Sequence, residues 1–187
     1  MKASSSRPRI LIVVAVPMTI KYFLLNYLRA LSKDYDVTVI CSDEGSSLAD
    51  VLPTGVSHIS TAIHRKISLL GDLKSLFCLI RLMQLQDFDI IHSVTPKAGL
   101  LAQLAARFGG IGIRIHTFTG QVWATKQGIS RRFLKTLDRI IALSATRVLA
   151  DSASQRDFLI AENVVSAAKI EVLGHGSISG VDVKRFQ

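Results

Sequence analysis

Cysteine is scarce in this chain: only Cys41 and Cys78 stand among its 187 residues. One pair cannot form the dense disulfide framework that stabilises small secreted domains. No spacing of cysteine and histidine matches a zinc site. We therefore predict two reduced, buried thiols in a cytoplasmic protein, and no metal centre.

Long apolar runs are also missing, although 49% of the residues are hydrophobic and the mean hydropathy is +0.36. The longest uncharged apolar run, residues 10–16, is far shorter than the ~20 residues that a membrane-spanning helix needs. The segment before it is short, polar and basic, and no small-residue cleavage site follows the run. A secretory signal is therefore not predicted.

The short motifs of several large enzyme classes are absent. There is no G-x-G-x-x-G, no Walker A loop, no H-E-x-x-H and no G-x-S-x-G. These absences argue against a self-contained dehydrogenase, nucleoside triphosphatase, metalloprotease or serine hydrolase. No cofactor is predicted.

Acidic residues are few: 14 Asp and Glu stand against 23 Lys and Arg, which gives a net charge of +9. This balance predicts a negatively charged partner, namely anionic lipid, a phosphorylated substrate or nucleic acid. Nucleic acid ranks last, because one tryptophan and 6% aromatic residues provide no stacking platform. Four basic residues share one arc of a predicted helix, and that arc is either solvated or close to an anionic membrane: Arg131, Arg132, Lys135 and Arg139.

Strand and helix patterns alternate along the chain. Apolar and β-branched runs predict strands at residues 10–16, 37–41, 56–60, 88–94, 113–118, 147–150 and 170–173. Helical spacing predicts helices at residues 20–33, 46–52, 69–86, 98–108, 130–143 and 153–163. Such alternation predicts an α/β fold with a doubly wound, mostly parallel sheet of about seven strands.

The centre of the chain holds the clearest candidate site. The strand 88–94 leads into the turn Thr95-Pro96-Lys97 and a helix, and the next strand ends in the loop Thr119-Gly120-Gln121. Both strands of a right-handed βαβ unit point the same way, so the two loops meet at the carboxyl edge of the sheet. Open α/β sheets bind ligands at that edge.

Lys97 lies in the first turn of the predicted helix, where free backbone amides and the helix dipole attract an anion. A lysine there is locally unfavourable unless an anion offsets it, so we favour a phosphate or sugar contact over a solvated side chain.

Arg65 and Lys66, before another helix, either meet a pyrophosphate or an anionic lipid, or remain solvated. His92 and His116 lie inside predicted strands, where a histidine is more often a satisfied core group than a catalytic one.

Four segments together resemble the family 4 glycosyltransferases of the GT-B fold: TPKAGLLAQLAA from residue 95, RIHTFTGQVWATKQG from 114, RVLADSASQRDFLI from 147 and KIEVLGHGSISGVDVKRF from 169. The pattern R-x-I-S-x-x-x-D-L at residues 65–73 fits the branch that builds O-antigen, capsule and N-glycan precursors on polyprenyl pyrophosphate. The resemblance implies two facing Rossmann-like domains, of which the N-terminal one holds the acceptor and the C-terminal one most of the nucleotide-sugar contacts.

By this resemblance, the chain corresponds to the first half of that architecture. It implies a disordered N-terminus at residues 1–8, an acceptor-binding domain at residues 9–174 and an interdomain linker at residues 175–187, with the donor-binding domain absent. Such a chain alone would be inactive as a transferase. The alternative is a natural, non-catalytic, membrane-associated subunit of a split glycosyltransferase, which recruits a donor-binding partner.

The implied activity is retaining, metal-independent transfer of a sugar from a UDP-sugar to a polyprenyl-pyrophosphate-linked glycan, by a protein peripheral to the cytoplasmic face of the cell membrane. Candidate contacts for acceptor phosphate or sugar are Lys97, Arg65 and Arg114, while Thr95, Thr119, Gly120 and Gln121 would line the cleft floor. The turn formed by Pro17, Met18 and Thr19 would approach the donor phosphates. Many family members carry His-Gly where this chain has Thr119-Gly120, so no catalytic residue is assigned.

Overall fold

The structure is a computed structural model that describes residues 7–42, 48, 50–61, 68–178 and 180. Within these ranges the strands are β1 (Arg9–Val13), β2 (Asp36–Cys41), β3 (Val56–Ser60), β4 (Ile90–Ser93), β5 (Ile113–Phe118), β6 (Arg147–Ala150) and β7 (Ile170–Glu171). The helices are α1 (Pro17–Thr19), a π-helical segment (Ile20–Leu24), α2 (Leu25–Leu31), α3 (Leu69–Leu85), α4 (Pro96–Phe108), α5 (Gly128–Ser144) and α6 (Ala153–Ala161).

The strands form one parallel sheet in the order β3-β2-β1-β4-β5-β6-β7. This confirms the predicted doubly wound, Rossmann-like α/β fold. The chain leaves β1 towards β2 and β3, then returns to β4 on the other side of β1. A crevice therefore opens at the carboxyl ends of β1 and β4, which is where a doubly wound sheet binds its ligands.

β1 shows why both faces of the sheet are covered. Its even-numbered residues Ile10 and Ile12 pack in one core with Leu24 of the π-helical segment. Its odd-numbered residues Leu11 and Val13 pack in a second core with α3 and α4. A strand that is buried on both faces reads as a continuous apolar run, because neither face meets water.

Several predicted boundaries are wrong. The predicted turn at residues 17–19 is already helical, because Pro17 at the first helical position needs no amide partner. The helix predicted from Ser130 begins at Gly128, with Gln127 as its N-cap. Of the short helix predicted at residues 46–52, residues 46, 47 and 49 lie outside the described ranges, and the others form a bend and turns.

The N-terminal residues 1–8 are predicted to be disordered, and residues 175–187 are predicted to form an interdomain linker. Residues 1–6, 179 and 181–187 lie outside the described ranges, while the carbonyl of Pro8 accepts a hydrogen bond of 3.0 Å from the Asp36 amide. Of the two thiols, Cys41 is buried as predicted, but Cys78 is exposed, which corrects that prediction. Among the helices of the described ranges, none combines the length and apolar character needed to span a bilayer.

Candidate substrate-binding edge

The carboxyl ends of β1 and β4 are tied together by Thr95. Its Oγ1 accepts a hydrogen bond of 3.0 Å from the Ala15 amide just beyond β1. Thr95 is also the N-cap residue of α4, but it makes no side-chain cap bond, because its hydroxyl already serves Ala15. The residue predicted to line the cleft floor therefore lies at the crevice and holds its two sides in register.

The first turn of α4 carries a cation whose counterion comes from α3. Lys97 Nζ lies 2.6 Å from Asp72 Oδ1, and the two side chains are 16% and 22% exposed. Asp72 Oδ2 also accepts from the Ser68 amide at the start of α3. The anion that Lys97 needs is thus present inside the fold, so the unfavourable position of the lysine is no longer an argument for a bound phosphate.

β5 ends in an open polar surface. Thr119 and Gly120 are exposed, and Gly120 has a φ of 150° with open space where a Cβ would stand. A ligand can therefore approach the Gly120 backbone closely. Gln121 is half-buried, and its Nε2 is buried with no hydrogen-bond partner among the described residues. The open groups of this surface are therefore the Thr119 hydroxyl and the Gly120 backbone.

Trp123 anchors the loop that follows. Its Nε1 donates to Asp138 Oδ2 at 2.7 Å, and its ring stacks on Phe158 with the centroids 5.3 Å apart. Burial raises the pKa of Asp138 to about 6, although the hydrogen bond from Trp123 opposes that shift. The tryptophan is fully buried, so it supports the edge from below and does not face a ligand.

The basic arc predicted on α5 is largely used inside the molecule. Arg131 Nη2 and Lys135 Nζ lie 2.7 and 2.6 Å from the two carboxylate oxygens of Glu162. Arg139 Nε donates to the carbonyl of Asn163 at 2.9 Å. Of that arc only Arg132 is exposed. The arc therefore joins α5 to the end of α6, which removes most of the predicted membrane-facing charge on that side.

The two strand histidines are core groups; His92 is satisfied as predicted, whereas the Nε2 of His116 has no hydrogen-bond partner among the described residues. Each is 1% exposed. His92 Nδ1 lies 2.9 Å from the Tyr27 hydroxyl and its Nε2 lies 2.7 Å from Thr117 Oγ1. His116 Nδ1 lies 2.8 Å from Ser93 Oγ. Burial lowers the pKa of His92 to about 4 and that of His116 to about 3. Both rings are neutral near neutral pH and hold strands together.

Sequence reasoning missed a cavity of about 120 Å³ next to His92. Tyr27, Thr117 and Asp151 line it, together with residues 176–178 near the end of the described chain. Asp151 Oδ1 is buried without a partner among the described residues, and burial raises the pKa of this carboxyl. The carboxylate at the end of β6 was visible in the sequence, but only the return of residues 173–178 over the sheet encloses it.

One predicted site residue, Arg114, does not join this edge. Arg114 is the second residue of β5, at the amino end of the sheet, where its Nε donates to the Ser144 carbonyl at 2.7 Å. Its grouping with Lys97 is therefore wrong. Arg65 lies outside the described residues. In the predicted donor-phosphate loop, Pro17 is buried, Thr19 is half-buried and Met18 is exposed.

A metal site finds no support in the described ranges, which contain no cluster of three or more His, Cys, Asp or Glu residues. At the ends of β4 and β5 the polar groups are hydroxyls, amides and one paired cation: Thr95, Lys97, Thr119, Gly120 and Gln121. Such groups bind sugar hydroxyls and phosphate oxygens without carrying out proton transfer near neutral pH.

Comparison with known proteins agrees with this architecture. The chain is 34% identical, over 87% of its length, to the capsular polysaccharide biosynthesis glycosyltransferase CapM of Staphylococcus aureus. It is 31% identical, over 83% of its length, to an Escherichia coli UDP-Gal:alpha-D-GlcNAc-diphosphoundecaprenol alpha-1,3-galactosyltransferase. It covers 42% and 39% of those two proteins, or about two fifths of their length.

Solved structures support the fold. Anabaena HepE, in complex with UDP and glucose, superposes with a TM-score of 0.65 at 15% identity, over 95% of this chain and 46% of HepE. The UDP-GlcNAc 2-epimerase of Methanocaldococcus jannaschii gives a TM-score of 0.64 at 17% identity, over 89% of this chain and 45% of the epimerase. At these identities the likeness concerns the fold alone. The family is shown by sequence: the model of the glycosyl transferase 4-like domain matches residues 20–176, and the chain belongs to that family.

Proposed function

We propose that this chain is the acceptor-binding half of a retaining glycosyltransferase, which moves a sugar from a UDP-sugar to a polyprenyl-pyrophosphate-linked glycan in surface polysaccharide synthesis. The observation that carries the proposal is the open polar edge of the sheet at residues 119–121, in a chain of the glycosyl transferase 4-like family. The relative that acts on a diphosphoundecaprenol-linked sugar supports the same substrate class.

The edge suits an acceptor by its chemistry. The exposed Thr119 hydroxyl and the open Gly120 backbone offer hydrogen bonds to a sugar. The Nε2 of Gln121 is buried without a described partner, so it would join them only if this side chain turned outward. Lys97 would reach a pyrophosphate only by sharing its charge between the ligand and Asp72, 2.6 Å away. We therefore assign sugar recognition to residues 119–121 and a secondary, electrostatic role to Lys97.

The donor is proposed to bind across the crevice. Pro17, Met18 and Thr19 begin a helix beyond the carboxyl end of β1, and we assign the donor phosphates to the space beside this turn. A donor-binding domain would supply the groups that neutralise the leaving UDP. Residues 95–97 and 119–121 carry no carboxylate or imidazole that could act as a general base near neutral pH, which suits a retaining transfer in which the acceptor hydroxyl attacks on the face that UDP leaves.

A second arrangement has the donor-binding domain as a separate protein. The chain spans about two fifths of the length of its curated relatives. This span fits a separate donor-binding protein and a donor-binding domain in the same chain equally well. In both, the chain is proposed to act peripherally at the inner face of the cell membrane, where lipid-linked acceptors are glycosylated.

The proposal is tested by equilibrium binding and by transfer. The 187-residue chain is titrated with a short-chain polyprenyl pyrophosphate that carries one N-acetylhexosamine, and separately with UDP-galactose. We expect saturable binding of the acceptor, weaker binding of UDP-galactose, and no transfer until a donor-binding domain is added. Sugar transfer by the chain alone, or binding of UDP-galactose tighter than of the acceptor, would contradict it.

A further inference from the structure

The cavity of about 120 Å³ beside His92 is lined by a chain of three hydrogen-bonding side chains. His92 Nδ1 lies 2.9 Å from the Tyr27 hydroxyl, and His92 Nε2 lies 2.7 Å from Thr117 Oγ1. Neither hydroxyl makes a further hydrogen bond within the part of the chain that the structure describes. The histidine therefore stands between two hydroxyl groups that have no other partner there.

This chain always leaves one hydroxyl proton without an acceptor. Burial lowers the pKa of His92 to about 4, so the ring is neutral and carries a single N–H near neutral pH. When the proton is on Nε2, the ring donates to Thr117 and accepts from Tyr27, so the Thr117 proton is left over. When the proton is on Nδ1, the roles are exchanged and the Tyr27 proton is left over. In both tautomers the cavity lining holds one unused donor.

Asp151 gives the same cavity an unused acceptor. Its carboxyl group receives a hydrogen bond from the backbone of Ile178. Its Oδ1 is buried and has no partner among the described residues, and Asp151 lines the cavity. Because a buried polar group without a partner is costly, a ligand group that satisfies both the donor and the acceptor gains affinity.

The rest of the lining is mostly apolar. Leu149, Leu173 and Ile178 line the cavity beside the polar groups. Leu173 and Ser177 are exposed, so the cavity reaches the surface. Its volume is several times the share of about 30 Å³ that one water molecule occupies in the liquid. Apolar walls with a few placed polar groups are typical of a small-ligand site.

We propose that this cavity binds the acetamido group of an N-acetylated sugar. The amide N–H would donate to Asp151 Oδ1, and the carbonyl would accept the unused proton of Tyr27 or Thr117. The methyl group would contact the apolar walls. A sugar hydroxyl would also satisfy one donor and one acceptor, but it would leave the apolar walls facing water, so it is the poorer occupant.

The cavity lies beside the carboxyl edge of the sheet. Thr117 stands two positions before Thr119, and two positions of extended chain span about 7 Å. Asp151 directly follows β6, the strand next to β5. A sugar held at residues 119–121 would therefore have the cavity within reach of its acetamido group. That this sugar is the acceptor rests on the proposed function, whereas the fit to a secondary amide rests on the lining of the cavity alone.

The test compares two soluble sugars that differ in one group, methyl N-acetyl-α-glucosaminide and methyl α-glucoside. The 187-residue chain is titrated with each, and the imidazole ¹⁵N chemical shifts of His92 are followed by NMR. We expect roughly tenfold tighter binding of the N-acetylated sugar, the value of about one hydrogen bond. The His92 shifts should change saturably, because the ligand carbonyl selects one tautomer. His116, which does not line the cavity, is the internal reference and should not shift.

Asp151→Asn is the variant that inverts the polarity of the acceptor. The single side-chain oxygen of asparagine would serve the Ile178 backbone, so its NH₂ group would face the cavity and oppose the amide N–H of the ligand. We expect the preference for the N-acetylated sugar to be lost. Asp157→Asn is the matched control, because Asp157 is exposed on α6 and pairs with Arg156 at 2.8 Å. Circular dichroism shows whether each variant is folded.

Three outcomes would overturn the inference: equal affinity for the two sugars, no change in the His92 shifts up to the solubility limit of the N-acetylated sugar, or a preference that persists in folded Asp151→Asn. An unfolded variant leaves the decision to the titration of the parent chain. The assay contains no lipid-linked acceptor, so its failure leaves the transferase proposal intact. Conversely, a chain that binds the N-acetylated sugar here but not the lipid-linked acceptor would refute the proposed function alone.

Discussion

Thr119 is exposed directly after the end of β5. Its hydroxyl is free to meet a ligand but cannot accept a proton at neutral pH, so its proposed part is a hydrogen bond to a sugar. In an enzyme completed by its donor-binding domain, we expect Thr119→Val to lower turnover roughly tenfold, the cost of one hydrogen bond made in the transition state.

The measurement is kcat and KM with a lipid-linked acceptor, beside the melting temperature. Thr54→Val is the matched control, because Thr54 is also an exposed threonine but precedes β3, away from the carboxyl edge. Unchanged turnover in Thr119→Val, or an equal loss in Thr54→Val, would remove Thr119 from the site.

Trp123 is the one tryptophan of the chain, which makes its emission a direct reporter on Asp138. Burial raises the pKa of Asp138 to about 6, so the folded state holds the proton more tightly than the unfolded state does. The carboxyl therefore favours folding when protonated, and this contribution is lost as pH rises through about 6.

We expect the Trp123 emission to change with a midpoint near the Asp138 pKa of about 6, because the acceptor of the indole N–H changes from neutral carboxyl to carboxylate. Asp138→Asn should abolish this transition, while Asp34→Asn, at an exposed position beyond α2, should leave it in place. An identical transition in Asp138→Asn would show that another group is responsible.

At the scale of elements, α4 lies unusually close to β5 because Gly99 has no side chain. A Cβ at this position would overlap the ring of His116, which is itself held by Ser93 at 2.8 Å. Helix propensity alone would make Gly99→Ala stabilising by about 1 kcal/mol. We expect the opposite sign, a loss of roughly 1–3 kcal/mol, because the overlap forces the helix and the strand apart.

The change in the free energy of unfolding is measured by urea denaturation. Gly112→Ala serves as the control, because Gly112 is exposed and nothing lies within 4 Å of its added Cβ. A stabilised Gly99→Ala would mean that α4 and β5 are packed less closely than the structure indicates.

At the scale of the whole molecule, acid should destabilise the fold. His92 and His116 have pKa values lowered to about 4 and about 3 by burial, so the unfolded chain binds more protons than the folded chain below the ordinary histidine pKa. Their contribution to stability is full above about pH 6.5 and is lost as pH falls towards 4. Asp138 acts in the opposite direction below about pH 6, but one carboxyl offsets only part of the stability that the two histidines lose.

We therefore expect the free energy of unfolding to fall by roughly 2–3 kcal/mol between about pH 7 and about pH 5. Urea denaturation at the two pH values measures this difference. His92→Gln and His116→Gln should each reduce the pH dependence, whatever they do to stability at neutral pH. A pH-independent stability of the parent chain over this range would contradict the assignment of both rings as neutral core groups.

The order of elements was predictable because each strand of the sheet is a local apolar run and each long helix has local periodicity. The placement of residues 119–121 at the ligand edge followed too, since parallel strands separated by a helix must point the same way. The role of Lys97 did not follow, because its counterion Asp72 lies on another helix, 25 positions earlier in the chain. Arg114 is the second residue of β5, so it lies at the amino end of the sheet, away from Lys97.

The sequence by itself determined the fold class, the family and the strand ends that meet at the carboxyl edge of the sheet, because these depend on local pattern and on the handedness of βαβ units. Only the tertiary structure decided which charges are available. It paired Arg131 and Lys135 of α5 with Glu162, and it left Lys74 and Arg81 of α3 exposed among leucines and a phenylalanine. The physical reason is that packing brings together residues that are distant in the sequence. These neighbours decide whether a charged side chain is paired or exposed, and a local sequence pattern does not contain them.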